Sequence, residues 1–152
     1  GLLDARQTPT SPGVPNHFAE DPAARRAIEL AAMEAVMAAE RALGNEPTDV
    51  SAQKIGYDIA SLDPRAGHLR FIEVKGRIEG SDTFTITTNE ITFAQTQGDR
   101  HRLTLVEVST NGAENDQLRY VSDAFAHLEP SATTRSYNEV WRDYWERGGP
   151  PR

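Results

Sequence analysis

Three side chains in the stretch 55–76 have types and spacing suited to chemistry: Asp58, Glu73 and Lys75. Glu73 and Lys75 stand two apart in I-E-V-K-G, an apolar, β-branched setting. A strand sends alternate residues to opposite faces, so this acid and base project together while Ile72 and Val74 point the other way. Asp58 lies in G-Y-D-I on the preceding strand. If Asp63 pairs with His68 around the turn Pro64-Arg65-Ala66-Gly67, the constant sum of paired positions sets Asp58 opposite Glu73. Two carboxylates and an ammonium then share one patch. Repulsion between the carboxylates raises the pKa of one of them unless a cation sits between, so the patch invites a divalent metal. Singly, Glu73 and Lys75 are most simply a surface ion pair, and Asp58 a turn cap after Gly56.

The elements that must position these groups come from a chain of 152 residues, most simply one domain and large enough to bury a core. Hydrophobic residues at 38% and charged ones at 26% fit a globular protein. No apolar run approaches the roughly 20 residues of a membrane span, and the start lacks a signal-peptide layout, so no membrane association is expected. The chain opens on Gly1 rather than Met, which reads as a piece of a longer protein. With no Cys, disulfides and thiolate metal sites drop out, and a cytoplasmic location is expected. A formal net charge of -7 argues against a generic nucleic-acid coating protein, though an enzyme whose carboxylates hold metal remains compatible with it.

Along the chain, 1–20 is Pro-, Thr- and Ser-rich and reads as a flexible linker or tail. Asp21 then caps a helix with Pro22 at its first position, running over 23–43 to Gly44-Asn45. On its wheel Ile28, Ala32, Ala35, Val36, Ala39 and Leu43 form an apolar arc, with Glu29 and Glu40 at the edge. Those two acids are about 16 Å apart along the axis, so at most one can reach a given metal site; each alone is most simply a rim residue paired with an arginine. The segment 46–50 reads as a connection, the hairpin follows, and Thr83-Phe84-Thr85-Ile86-Thr87 is an alternating third strand. Thr87 and Glu90 form a capping box for a short helix to about Gln97. The segment 102–108 is an interior strand, and 118–121 one more.

The expected fold is α/β of the mixed α+β kind: a small mixed sheet flanked by helices in the order α-β-β-β-α-β, the first three strands a meander and the fourth reached by a helical crossover. The principal domain is expected over 21–125, followed by a 126–152 extension whose Tyr137, Trp141, Tyr144 and Trp145 have helical spacing and read as a packing stripe. The four histidines, His17, His68, His101 and His127, lack zinc-like spacing and read as solvated surface residues.

G-Y-D-I, I-E-V-K-G, T-T-N-E (87–90) and L-T-L-V-E-V (103–108), in this element order, resemble the C-terminal domain of the plant protein NO VEIN, a domain of unknown function also found at the ends of large helicase-like and defence-related bacterial proteins. The pattern is similar to the PD-(D/E)XK nuclease superfamily over roughly 25–109. The resemblance implies a restriction-endonuclease-like core and a nuclease site: Asp58 and Glu73 as metal-binding acids, the Val74 carbonyl as a further ligand, Glu29 or Glu40 completing the site, and Lys75 orienting or deprotonating water. Tyr57 stands where the superfamily's name has proline.

The implied chemistry is hydrolysis of DNA phosphodiesters with Mg²⁺, or Mn²⁺ in its place, in a module joined to helicase-like domains of a larger protein. Lys75 would serve as the base if burial lowers its pKa. Lys54, Arg70, Arg77, Arg100 and Arg102 are candidate phosphate contacts. The alternatives are the same fold bound to DNA without cutting, or a protein-interaction module docking through 137–145.

Overall fold

In the computed structural model, which describes residues 21–152, the first helix starts where its capping residues set it. The Asp21 side chain accepts a hydrogen bond from the Ala23 N–H at 2.9 Å, and Pro22 takes the first helical position. Helix α1 spans Pro22–Ala42 and stops before Gly44, whose φ of +87° few other residues tolerate. The segment 1–20, with His17, lies outside the described residues.

The chain continues as β1 (Glu46–Asp49), β2 (Ile59–Asp63), β3 (His68–Ile78), β4 (Thr83–Thr87), α2 (Thr88–Gln97), β5 (His101–Val108), β6 (Gln117–Val121), β7 (Ser136–Val140) and α3 (Trp141–Arg147). Five of these strands form one mixed sheet in the order β1-β2-β3-β5-β6. The β3–β5 pair alone is parallel, and the others are antiparallel. The fold is therefore mixed α+β, as the alternation of helical and strand patterns implies.

The hairpin register is the expected one, with Asp63 against His68 and Ile59 against Ile72. Three details differ from the sequence reading. The segment 46–50, expected as a connection, contributes β1, whose Pro47 is tolerated because the strand lies at the sheet edge. β4 is a strand, but it leaves the main sheet and pairs with β7 in a separate two-stranded ribbon. The meander is thus β1-β2-β3, and the crossover to parallel β5 contains both β4 and α2. The residues Tyr137 to Val140 are extended in β7, so helix α3 begins only at Trp141.

The sheet separates two cores. On one face α1 packs Ile28, Ala31, Ala32 and Val36 against Ile59, Ile72, Val106 and Val108. Gly76 lets the helix come this close: a Cβ there would lie 2.5 Å from the Ala32 Cβ and 3.3 Å from the Ile28 carbonyl oxygen. On the other face Leu103, Leu105 and Val121 meet Ile91 of α2, Phe84 and Ile86 of β4, and Trp141, Tyr144 and Trp145 of α3. Trp141, Tyr144 and Trp145 of the aromatic stripe are buried in this second core, and Tyr137 packs partly buried against it.

Candidate active site

β3 carries Phe71, Glu73 and Lys75 on the α2 side of the sheet, while Ile72 and Val74 pack towards α1. The β2 ladder ends at the Ile59–Ile72 pair. One residue outside it, Asp58 donates its N–H to the Ile72 carbonyl at 2.9 Å, and its carboxylate Oδ2 accepts the Val74 N–H at 2.8 Å. Asp58 thus brackets Glu73 from both sides instead of facing it in simple register. This clamp fixes the carboxylate by main-chain hydrogen bonds, where the loss of the β2 partner would otherwise leave the Val74 donor open.

Glu73 and Lys75 meet at 3.3 Å, and Lys75 Nζ also lies 3.2 Å from Glu90 Oε1. Glu90 was expected to be a cap and nothing more. The capping box is present, with the Glu90 side chain accepting the Thr87 N–H at 2.9 Å, yet the same Oε1 receives the lysine. No local signal announces this second role, because it depends on how α2 lies over β3.

Glu73 is buried, 2% exposed; as a carboxylate its Oε1 has no hydrogen-bond donor, and as a carboxylic acid it is close enough to Asp58 and Glu90 to share its proton with them. Burial pushes its carboxyl well above the usual range; Lys75 opposes the shift, while Asp58 and Glu90 reinforce it. Burial likewise raises Asp58, partly countered by the Val74 N–H, by a hydrogen bond with the Glu73 carboxyl and by Lys75. Glu90 also feels burial, but Lys75 and the Thr87 N–H outweigh it and hold its carboxyl below the usual value. For Lys75, burial favours the neutral amine, yet Glu73 and Glu90 outweigh it and the pKa is raised. The direction is opposite to the lowering expected for a base: with Glu73 and Glu90 on either side, the Lys75 pKa lies above its usual value.

The structure does not bring the α1 acids to this cluster. α1 covers the opposite face of the sheet, where Glu29 is exposed and Glu40 is fully buried in a network of its own. Glu40 lies 3.2 Å from Arg70 Nε and accepts hydrogen bonds from Tyr120 Oη at 2.7 Å and Asn45 Nδ2 at 3.1 Å. Arg70 is committed to Glu40 and the Arg152 carbonyl, Arg102 to the carbonyls of Asp99, His101 and Arg152, and Arg77 to that of Thr83. Lys54 and Arg100 are exposed. His101 is not a solvated surface residue: it is buried at the start of β5, its Nε2 has no partner, and burial beside Arg102 pushes its pKa down to about 4.

Among the described residues no group of three or more acids, histidines or cysteines is spaced to hold a metal ion. Mg²⁺ needs less than that, since one or two carboxylates and several waters suffice. Asp58 and Glu73 supply two hard oxygen donors, and as a carboxylate oxygen Glu73 Oε1 has no hydrogen-bond donor. Asp58 and Glu73, with Val74 beside them on β3, are the residues that would hold a divalent cation.

The fold and site together define a small mixed α+β domain whose central sheet carries a half-buried carboxylate–lysine cluster where one strand ends. The family described as "Protein NO VEIN, C-terminal" matches residues 28–121, more than half of the chain, and the chain belongs to that family. No curated protein and no solved structure matches it. Among the described residues no helix is long and apolar enough to cross a membrane.

Proposed function

We propose that this domain is a metal-dependent nuclease of the PD-(D/E)XK type that hydrolyses DNA phosphodiesters, working as a cytoplasmic module joined to helicase-like or defence-related domains of a larger protein. The observation that carries the reading is the convergence of Asp58, Glu73 and Lys75 on one half-buried patch, with no donor on the Glu73 Oε1 carboxylate oxygen. Asp58 and Glu73 would hold Mg²⁺ or Mn²⁺, which supplies an acidified water and charge neutralisation at the phosphate when bound. Asp58 contributes a carboxylate fixed by the Val74 N–H, so little reorganisation is needed to receive the cation. Lys75 presents a permanent positive charge to the scissile phosphate, and Glu90 holds that ammonium in position. Supercoiled plasmid incubated with Mg²⁺ or Mn²⁺ is expected to be nicked, and Glu73→Gln and Lys75→Met to abolish nicking while circular dichroism reports a folded chain. Undiminished nicking by both variants would overturn the assignment.

A second reading is favoured by Lys75 itself, whose charge is already balanced by Glu73 and Glu90. In it the same fold binds DNA without cutting. Retention of labelled DNA with no cleavage in either metal would select that reading.

A further inference from the structure

Each element that delivers an acid to the cluster also delivers an aromatic ring beside it. Tyr57 precedes Asp58, Phe71 lies two residues before Glu73 on the same face of β3, and Phe93 follows Glu90 by one helical turn of α2. The three rings converge. Tyr57 and Phe93 stack with centroids 4.7 Å apart and 19° between planes, while Phe71 meets Tyr57 edge-on at 4.9 Å and Phe93 at 5.5 Å. All three are only partly buried, outside both main cores. Leu69, next along the same face of β3, and Ile55, two residues before Tyr57, are 42% and 44% exposed, so apolar surface continues beyond the rings.

We propose that Tyr57, Phe71 and Phe93 form a stacking platform for an unpaired nucleobase, so that the substrate of the adjoining Asp58–Glu73–Lys75 site is single-stranded or locally unpaired DNA. The inference rests on the nuclease reading of that site for its substrate, and on the ring geometry for its preference. In a duplex both faces of each base are covered by neighbours, so a flat aromatic surface is useful only to a base taken out of the stack. The offset from Phe71 to Glu73, about 7 Å along the strand, is on the scale of one extended nucleotide. It lets a base lie on the rings while its phosphate faces the carboxylate–lysine cluster. With a net charge of -7 and Arg70, Arg77 and Arg102 committed to intramolecular partners, phosphate contacts give little grip on a duplex or a single strand, so the preference rests on the rings.

The test uses the full chain and a fluorescein-labelled twelve-residue oligothymidylate, with a blunt duplex of equal length as comparison, both titrated in EDTA so that binding is read without cutting. The single strand is expected to bind more tightly than the duplex. Tyr57→Leu and Phe93→Leu, which keep apolar volume but lose the flat ring, should each weaken single-strand binding by about tenfold to a hundredfold and leave duplex binding unchanged. Tyr57→Trp, which keeps a flat ring, should retain single-strand binding and guards against a mere folding defect. Equal affinity for the two DNAs, or leucine variants that fold and bind the single strand as the parent does, would overturn the platform. Plasmid nicking is scored separately: cutting without single-strand preference removes the platform and leaves the nuclease, while single-strand preference without cutting does the reverse.

Discussion

Replacing Lys75 by methionine tests the electrostatics of the site without relying on activity. The substitution keeps the aliphatic stem and removes the one cation that lies 3.3 Å from Glu73 and 3.2 Å from Glu90. Deleting one partner of a buried ion pair costs about 3–5 kcal/mol, because the remaining charge stays buried. The Lys75 side chain is 19% exposed, so the expected loss sits at the low end, about 3 kcal/mol. At roughly 2–4 °C per kcal/mol for a chain of this size, that is a fall in Tm of about 6–12 °C at neutral pH.

The sign with pH is also fixed. Glu73 already has a raised pKa, and removing its cation raises it further. A carboxyl whose folded pKa exceeds its unfolded value contributes stability that is complete below the unfolded value and lost as pH rises through the folded one. Lys75→Met should therefore be least destabilising near pH 4.5 and worst above neutrality. Urea denaturation across that range reads both effects, and Mn²⁺ adds a third. A cation bound by Asp58 and Glu73 at a hundredfold excess over its Kd would return about 2.7 kcal/mol, a recovery that Glu73→Gln should not show. A loss below about 1 kcal/mol, independent of pH, would mean an ordinary solvated ion pair and would refute the reasoning.

Two further outcomes follow from packing and burial. Gly76→Ala places a methyl 2.5 Å from the Ala32 Cβ, so α1 must shift off β3; overpacking of this kind costs about 1–3 kcal/mol, read as a lowered urea midpoint, and an unchanged midpoint would show that the helix moves freely. His101, with its pKa pushed down to about 4, stays neutral when folded but takes a proton near pH 6.5 when unfolded, so acid favours the unfolded chain through this group. Against a His101→Gln variant, the parent should lose about 2 kcal/mol more between pH 7.5 and pH 5, as measured by urea titration.

What was legible in the sequence was local. Asp21 and Pro22 fix the start of α1, Gly67 and Pro64 close the hairpin, and Thr87 with Glu90 caps α2, because each signal lies within a few residues of its effect. What was not legible depended on distant partners. The alternation of Thr83 to Thr87 identifies a strand with Phe84 and Ile86 inward, but not that its neighbour is β7, where Thr85 meets Asn138. The same applies to Lys75. Burial has the anticipated sign, but Glu73 and then Glu90 outweigh it, and the Glu90 share depends on the packing of α2.

The chain contains a control for its own site. Glu40 and Glu73 are both buried glutamates, on opposite faces of one sheet, and each is paired with a basic residue. Around Glu40 both carboxylate oxygens are occupied, Oε1 by Asn45 and Arg70 and Oε2 by Tyr120 and Arg70. The carboxylate itself is thus saturated, although Arg70 Nε and Asn45 Oδ1 in the same network have no hydrogen-bond partner. Around Glu73 one lysine is shared with Glu90, a second carboxylate is clamped alongside at Asp58, and the carboxylate oxygen Oε1 has no donor. Packing gains nothing from gathering three acids around one ammonium, since like charges at close range raise each other's cost. An under-neutralised cluster on a half-open face where β2 ends is the arrangement that the proposed cation would complete, and this separates Glu73 from Glu40, whose two oxygens are already occupied.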